Sequence, residues 1–176
     1  MHERVKFSGS ELTLEQIADH TTDVVQALHG YFSPNSTTYP TRFAGYLRDE
    51  VANDLMERVS ESQRSASLSL LASLEATFRI DYLNRCQLKE RDAVSRAFRL
   101  LYANKGRRAS LEDDILGAWV ALHARLKSQV SDIRAAFKYR HWLAHGRYWQ
   151  PKLGRIHDYQ DVYVIADRAV RSFPFL

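Results

Sequence analysis

The stretch 68-LSLLASLEATFRIDY-82 decides the fold class. Leu68, Leu71, Leu74, Phe78 and Tyr82 recur at intervals of three or four residues. On a helix with 3.6 residues per turn that spacing gathers them into one apolar stripe facing a core. Glu75 stands at the edge of the stripe, and Arg79, four residues on, shares its face and pairs with it.

Working outward, the same period recurs along the chain. Leu14, Ile17, Val24, Val25 and Leu28 predict a helix over about residues 13–30, with Thr13 as N-cap and Glu15 and Gln16 just inside it. The segment 31-YFSPNSTTYPT-41 reads as a loop, with two prolines among turn formers. A second helix is expected from near Arg42 through Leu47, Val51, Leu55 and Val59, with the serine-rich run 60-SESQRSASLS-69 bending or interrupting it. Val94, Ala97, Leu100 and Leu101 mark another helix, which Gly106 ends. Ser110 then reads as an N-cap, with Glu112, Asp113 and Asp114 in the first turn, where carboxylates suit the helix dipole. Leu111, Ile115, Trp119, Leu122 and Leu126 form the next stripe. It continues through Val130, Ile133 and Phe137 to Leu143 or Ala144, as one long helix or as two separated near Lys127. Gly146 is the stop, with Pro151 beyond it, and a last helix is expected over 161–171. The string 161-DVYVI-165 also suits a strand, but a lone strand has no partner. The expectation is an all-α bundle of five to six helices, one or two of them long, in a single domain over residues 1–176.

Composition narrows the class. A chain of 176 residues, 45% hydrophobic and 26% charged, is long enough to build a core and short for two domains. Cys86 is the single cysteine, so no intrachain disulfide forms, which fits a reducing compartment. The start, 1-MHERVKFSGSELTL-14, lacks the apolar run of a signal peptide, and no run of 18 apolar residues exists to span a membrane. A cytoplasmic protein with no membrane partner is expected.

The net charge of +4 is unevenly spread. From Ile133 to His157 there is no Asp or Glu, and Arg134, Lys138, Arg140, Arg147, Lys152 and Arg155 give that window +6. The rest of the chain, with nineteen basic against twenty-one acidic residues, carries −2. Clustering of this kind suits either a polyanion such as nucleic acid or a solvated basic face.

That window contains 137-FKYRHWLAHGRYWQPK-152, which admits three readings. His141 and His145, four apart on one helix face, have the spacing of two zinc ligands. However, Trp142 stands where the helical zinc motif carries its Glu, no third ligand is signposted, and the local charge is positive. No metal or cofactor is expected. Alternatively, Arg140 with His145, and His141 between them, suits RNA cleavage by the substrate's own 2′-hydroxyl. Histidine transfers protons near neutrality, and arginine stabilises charge on phosphoryl oxygens through a planar fork of donors. The third reading is structural: Arg140 extends its charged head to water, and Trp142 and Leu143 are core.

The string 140-RHWLAH-145 resembles the R-x4-H signature of the HEPN domain ribonucleases, and 140-RHWLAHGRYWQPKLGR-155 looks like an uncharacterised bacterial branch of HEPN-like proteins. Arg140 and His145 take the signature positions; His141 replaces a polar residue, often Asn, and keeps its hydrogen-bonding capacity. The resemblance implies an all-α bundle over most of the chain and a metal-independent endoribonuclease leaving a 2′,3′-cyclic phosphate. It implies a homodimer with two motifs in one cleft, and a role as a toxin or in phage defence, held in check by an antitoxin or regulatory protein. It further implies a polar residue on an earlier helix facing the motif, a place that Glu75 in 73-SLEATFR-79 can take; read alone, Glu75 and Arg79 are a surface pair worth a few tenths of a kcal/mol. Some members of the family are catalytically silent and only bind RNA or dimerise. RNA contacts are expected from Arg147, Lys152 and Arg155 to phosphates and from Tyr148 and Trp149 by stacking on unpaired bases, with Lys105, Arg107 and Arg108 extending the track. For Trp149 the alternative is a clasp that folds its loop back onto the bundle.

Overall fold

A computed structural model of the chain describes residues 6–88, 90–150 and 157–176. Among them there are seven α-helices and no strand: α1 Leu14–Tyr31, α2 Tyr39–Arg42, α3 Arg48–Leu88, α4 Ala93–Lys105, α5 Leu116–Leu122, α6 Lys127–Ala144 and α7 Tyr159–Ser172. The all-α bundle is as expected, and the helix beyond the five to six is the four-residue α2. The stretch 161–165 is helical, within α7. None of these helices is long and apolar enough to cross a membrane.

The capping signals act where the sequence places them. The Thr13 hydroxyl accepts from the Gln16 amide at 3.2 Å and the Gln16 side chain accepts from the Thr13 amide at 2.9 Å, a closed capping box. Ser110 accepts from the Asp113 amide at 3.3 Å. The turn that follows, Leu111–Ile115, is wound as a π-helix, with the Ile115 amide donating to the Ser110 carbonyl at 3.0 Å. Of the two expectations for this stripe, two helices separated near Lys127 is the one found: His123 leaves helical geometry at φ −135° and ψ 78°, and a 3-10 turn over Ala124–Leu126 separates α5 from α6, which starts at Lys127.

Three expectations are corrected. The second helix starts at Arg48, not near Arg42, because Gly45 turns the chain at φ 84° and leaves Leu47 70% exposed. The serine-rich run does not break it: α3 continues for 41 residues. Ser67 and Ser69 donate to the carbonyls four residues back, at 2.9 and 3.2 Å, so their hydroxyls are satisfied without unwinding the helix. In α4, Phe98 enters the core in place of Leu100, which is exposed.

The core lies against the C-terminal half of α3. Leu70, Leu71, Leu74 and Phe78 are fully buried with Phe98, Ile115, Leu116, Trp119, Val130, Val162 and Ala166. Phe173 and Phe175, beyond α7, set their rings edge-on against Phe78 at 4.9 and 5.1 Å. A smaller cluster of Phe32, Phe43 and Val51 holds the N-terminal end of α3 to the loop after α1.

Inside the main core sits a polar network. Arg85, 4% exposed, donates from Nε to both carboxylate oxygens of Asp81 at 2.9 and 3.0 Å. Its Nη1 reaches Asp92 at 3.1 Å and its Nη2 the Pro174 carbonyl, while the Leu176 amide donates to Asp81 at 2.9 Å. The guanidinium also lies 5.2 Å from the centre of the Trp119 ring. A buried charge is tolerated because every direction it faces holds an acceptor or an aromatic surface. The network fastens the last residues of the chain to α3 and α4.

Candidate active site at the end of helix α6

Helix α6 ends in a complete Schellman motif. The Arg147 amide donates to the Trp142 carbonyl at 3.2 Å and the Gly146 amide to the Leu143 carbonyl at 3.4 Å, with Gly146 at φ 78°. This fixes the direction in which the chain leaves the helix. The indole N–H of Trp142 donates to the Trp149 carbonyl at 2.8 Å, so residues 145–149 fold back against α6. Trp149 takes the clasp position: it is half-buried and its ring centre is 6.1 Å from that of His141. Tyr148 meets it edge-on at 4.6 Å and is 84% exposed, a face open to a stacking base.

Arg140 turns the other way, towards α3. Its Nη2 is 3.1 Å from Oε2 of Glu75, while Oε1 of the same carboxylate takes Nε of Arg79 at 2.7 Å. Arg79 continues to the Ala109 carbonyl at 3.3 Å, which ties the segment after α4 to the same group. Glu75 is 20% exposed on its side chain and Arg140 35%, so the pair sits at the boundary between core and solvent. The Nε of Arg140 is buried and has no hydrogen-bond partner among the described residues.

The histidines lie on the solvent side. His141 and His145 are exposed, with ring centres 4.2 Å apart. Helix geometry explains the division: four residues bring two side chains nearly into line, whereas the five between Arg140 and His145 put them about 140° apart around the axis. Within one chain, the closest pairing is therefore His141 with His145, and Arg140 faces Glu75.

Arg147 is engaged by a residue the sequence does not signal. Its Nη1 and Nη2 contact the two carboxylate oxygens of Glu61 at 2.6 and 3.0 Å, a fork-to-fork pair. The backbone of Arg147 is left-handed at φ 58°, an unusual conformation for a residue with a side chain. The Arg147 guanidinium holds the Glu61 carboxyl below its ordinary value of 4.5, with Arg64 contributing.

Of the other expected contacts, Lys152 and Arg155 lie outside the described residues. Lys105 pairs with Asp114 at 2.7 Å, and Arg107 and Arg108 are exposed in the 3-10 turn after α4. No group of three His, Cys, Asp or Glu side chains converges among the described residues. Comparison with protein-family models, with curated proteins and with solved structures finds no match.

Proposed function

We propose that the protein is a HEPN-like, metal-independent endoribonuclease whose site is built on the end of α6. One observation carries the reading: at the same end of α6 the carboxylate of Glu75 holds the guanidinium of Arg140 on one side, and on the solvent side two exposed imidazoles have their centres 4.2 Å apart. This supplies the parts that transesterification of RNA needs. Arg140 offers fixed positive charge to the non-bridging phosphoryl oxygens, and its direction is set before substrate arrives. One imidazole takes the proton of the 2′-hydroxyl as that oxygen attacks phosphorus. A second returns a proton to the departing 5′-oxygen, leaving a 2′,3′-cyclic phosphate and a 5′-hydroxyl.

His145 and His141 fill these roles in one chain, or two copies of His145 fill them across the two-fold axis of a homodimer. The divergence of Arg140 and His145 around the helix favours the second arrangement, because each motif then completes the other. Tyr148 and Trp149 are the stacking surfaces for single-stranded RNA, and Arg147 a phosphate contact once released from Glu61. A toxin or phage-defence role, restrained by an antitoxin or regulatory protein in the cytoplasm, belongs to the same reading.

A second reading has its own support. Arg140 and Arg147 both have carboxylate partners, which suits a silent module that binds RNA or protein without cutting. Incubation of the purified protein with single-stranded RNA in EDTA separates the two. The nuclease yields cyclic-phosphate ends, and His145→Ala abolishes them with the helical circular dichroism and the mass in solution unchanged. Retention of RNA without cleavage by the wild type would select the silent module, and undiminished cleavage by His145→Ala would remove His145 from the chemistry.

A further inference from the structure

We propose that His141 and His145 form an exchangeable surface site for a transition-metal dication of the zinc, nickel or copper(II) kind. The spacing suits a two-imidazole chelate: exposed side chains four residues apart, one helical turn, with ring centres 4.2 Å apart. Nitrogens at about 2.0–2.1 Å from one zinc ion require the rings to part by only about 1 Å. Small rotations of exposed side chains supply this.

Sequence alone argues against a cation here, because the flanking residues are basic. The fold reduces that objection. Arg140 is drawn 3.1 Å from Glu75, which it shares with Arg79, and Arg147 is paired in fork geometry with Glu61, which also takes Arg64, so the positive charge of both flanking arginines is partly offset. The histidines also stand on the last turn and at the cap of α6, where the helix presents the negative end of its dipole. No third protein ligand converges among the described residues. Water therefore completes the coordination sphere, and the ion exchanges with solvent. This is the character of an effector rather than of a resident cofactor, and it is compatible with the metal-independent reaction proposed above.

The chemical consequence follows from ligation. A metal takes the imidazole lone pair, so a metal-bound His145 cannot accept a proton. Zinc at this site switches off proton transfer; this consequence rests on the ribonuclease reading, whereas binding does not.

The test uses the metal-free full chain, free of any histidine tag. Zinc binding is followed by calorimetry and copper(II) binding by quenching of tryptophan emission, since Trp149 lies 6.1 Å from His141. One ion per chain is expected. His141→Ala and His145→Ala each weaken binding by about tenfold or more, and His29→Ala on α1 leaves it unchanged. Absence of binding, or binding undiminished in the double variant His141→Ala/His145→Ala, overturns the site. In the cleavage assay, added zinc suppresses product formation with the dependence of the calorimetric isotherm. Cleavage that persists with the site saturated overturns the inhibitory role and leaves the site standing. Binding without any cleavage in EDTA refutes the ribonuclease reading, and the metal site stands on the calorimetry alone.

Discussion

Oε2 of Glu75 lies 3.1 Å from Nη2 of Arg140, so a residue in the middle of α3 sets the direction of a guanidinium at the end of α6. The other oxygen of that carboxylate is occupied by Arg79, which keeps Glu75 from rotating to follow Arg140. Glu75→Gln keeps the shape and removes the charge. On the ribonuclease reading proposed above it is expected to lower RNA cleavage through kcat, with a small change in KM, because Arg140 would contact the phosphoryl group chiefly as charge develops. Stability should fall by no more than about 1 kcal/mol, since both arginines are more than a third exposed. Kinetic double-mutant cycles with Arg140→Gln would show non-additivity; fully additive effects on kcat would mean that Glu75 does not act through Arg140.

The Asp81–Arg85 pair should behave differently because it is buried. Burial is the largest influence on the Asp81 carboxyl and raises it above its ordinary value of 3.8, while the Leu176 amide and Arg85 work the other way. Replacing Arg85 alone by Met leaves that carboxylate in the core without its cation and should cost about 3–5 kcal/mol in urea unfolding. Replacing Asp81 by Leu in the same chain should recover part of that loss. If the single variant unfolds within about 1 kcal/mol of wild type, the guanidinium is not the group that holds the C-terminal segment.

The Glu61–Arg147 contact has a pH window. The folded value for Glu61 lies below the unfolded one, so the stabilisation is complete above the ordinary carboxylate range. It is lost as pH falls through the lower, folded value. Carbon-13 NMR of Glu61 should show a titration midpoint below 4.5, and Arg147→Gln should move it upwards. Because Glu61 is half exposed on its side chain, the effect on global stability should be slight even when the contact breaks. A midpoint indifferent to Arg147→Gln would show that the pair does not form in solution.

Gly146→Ala probes the exit from α6. Nothing lies within 4 Å of the added methyl group, so the cost comes from the backbone at φ 78° alone. About 1 kcal/mol is expected in thermal unfolding. A larger accompanying change in tryptophan emission would report displacement of Trp149, whose carbonyl is held by Trp142 only while this turn keeps its shape.

Much of the fold is legible in the chain because it is local. The stripe through Leu71, Leu74 and Phe78, the Thr13–Gln16 box and the Ser110 cap all rest on neighbours within a turn or two. So does Glu75 with Arg79. The second grip of Glu75, on Arg140, becomes visible only when α3 and α6 are side by side. Glu61 escapes altogether, since its partner is 86 residues away and nothing marks it out among the other acidic residues of α3. Arg85 did leave a trace: it extends the apolar stripe one step past Tyr82, with Asp81 four residues before it. A charged residue in line with core positions is a sign of a buried pair. The break at His123 is legible only as one of two alternatives, near Lys127, because the apolar period runs straight through it.

Glu61 and Glu75 are fourteen residues apart on one unbroken helix, which places them about 21 Å apart along its axis and within about 40° of the same face. They grip the two arginines that flank the histidines. The loop after α6 and the guanidinium of Arg140 are thus both held by one unbroken helix, and a tilt of that helix would carry both at once. Whatever presses on the exposed end of α3, near Leu47 and Met56, acts on the site through leverage rather than contact.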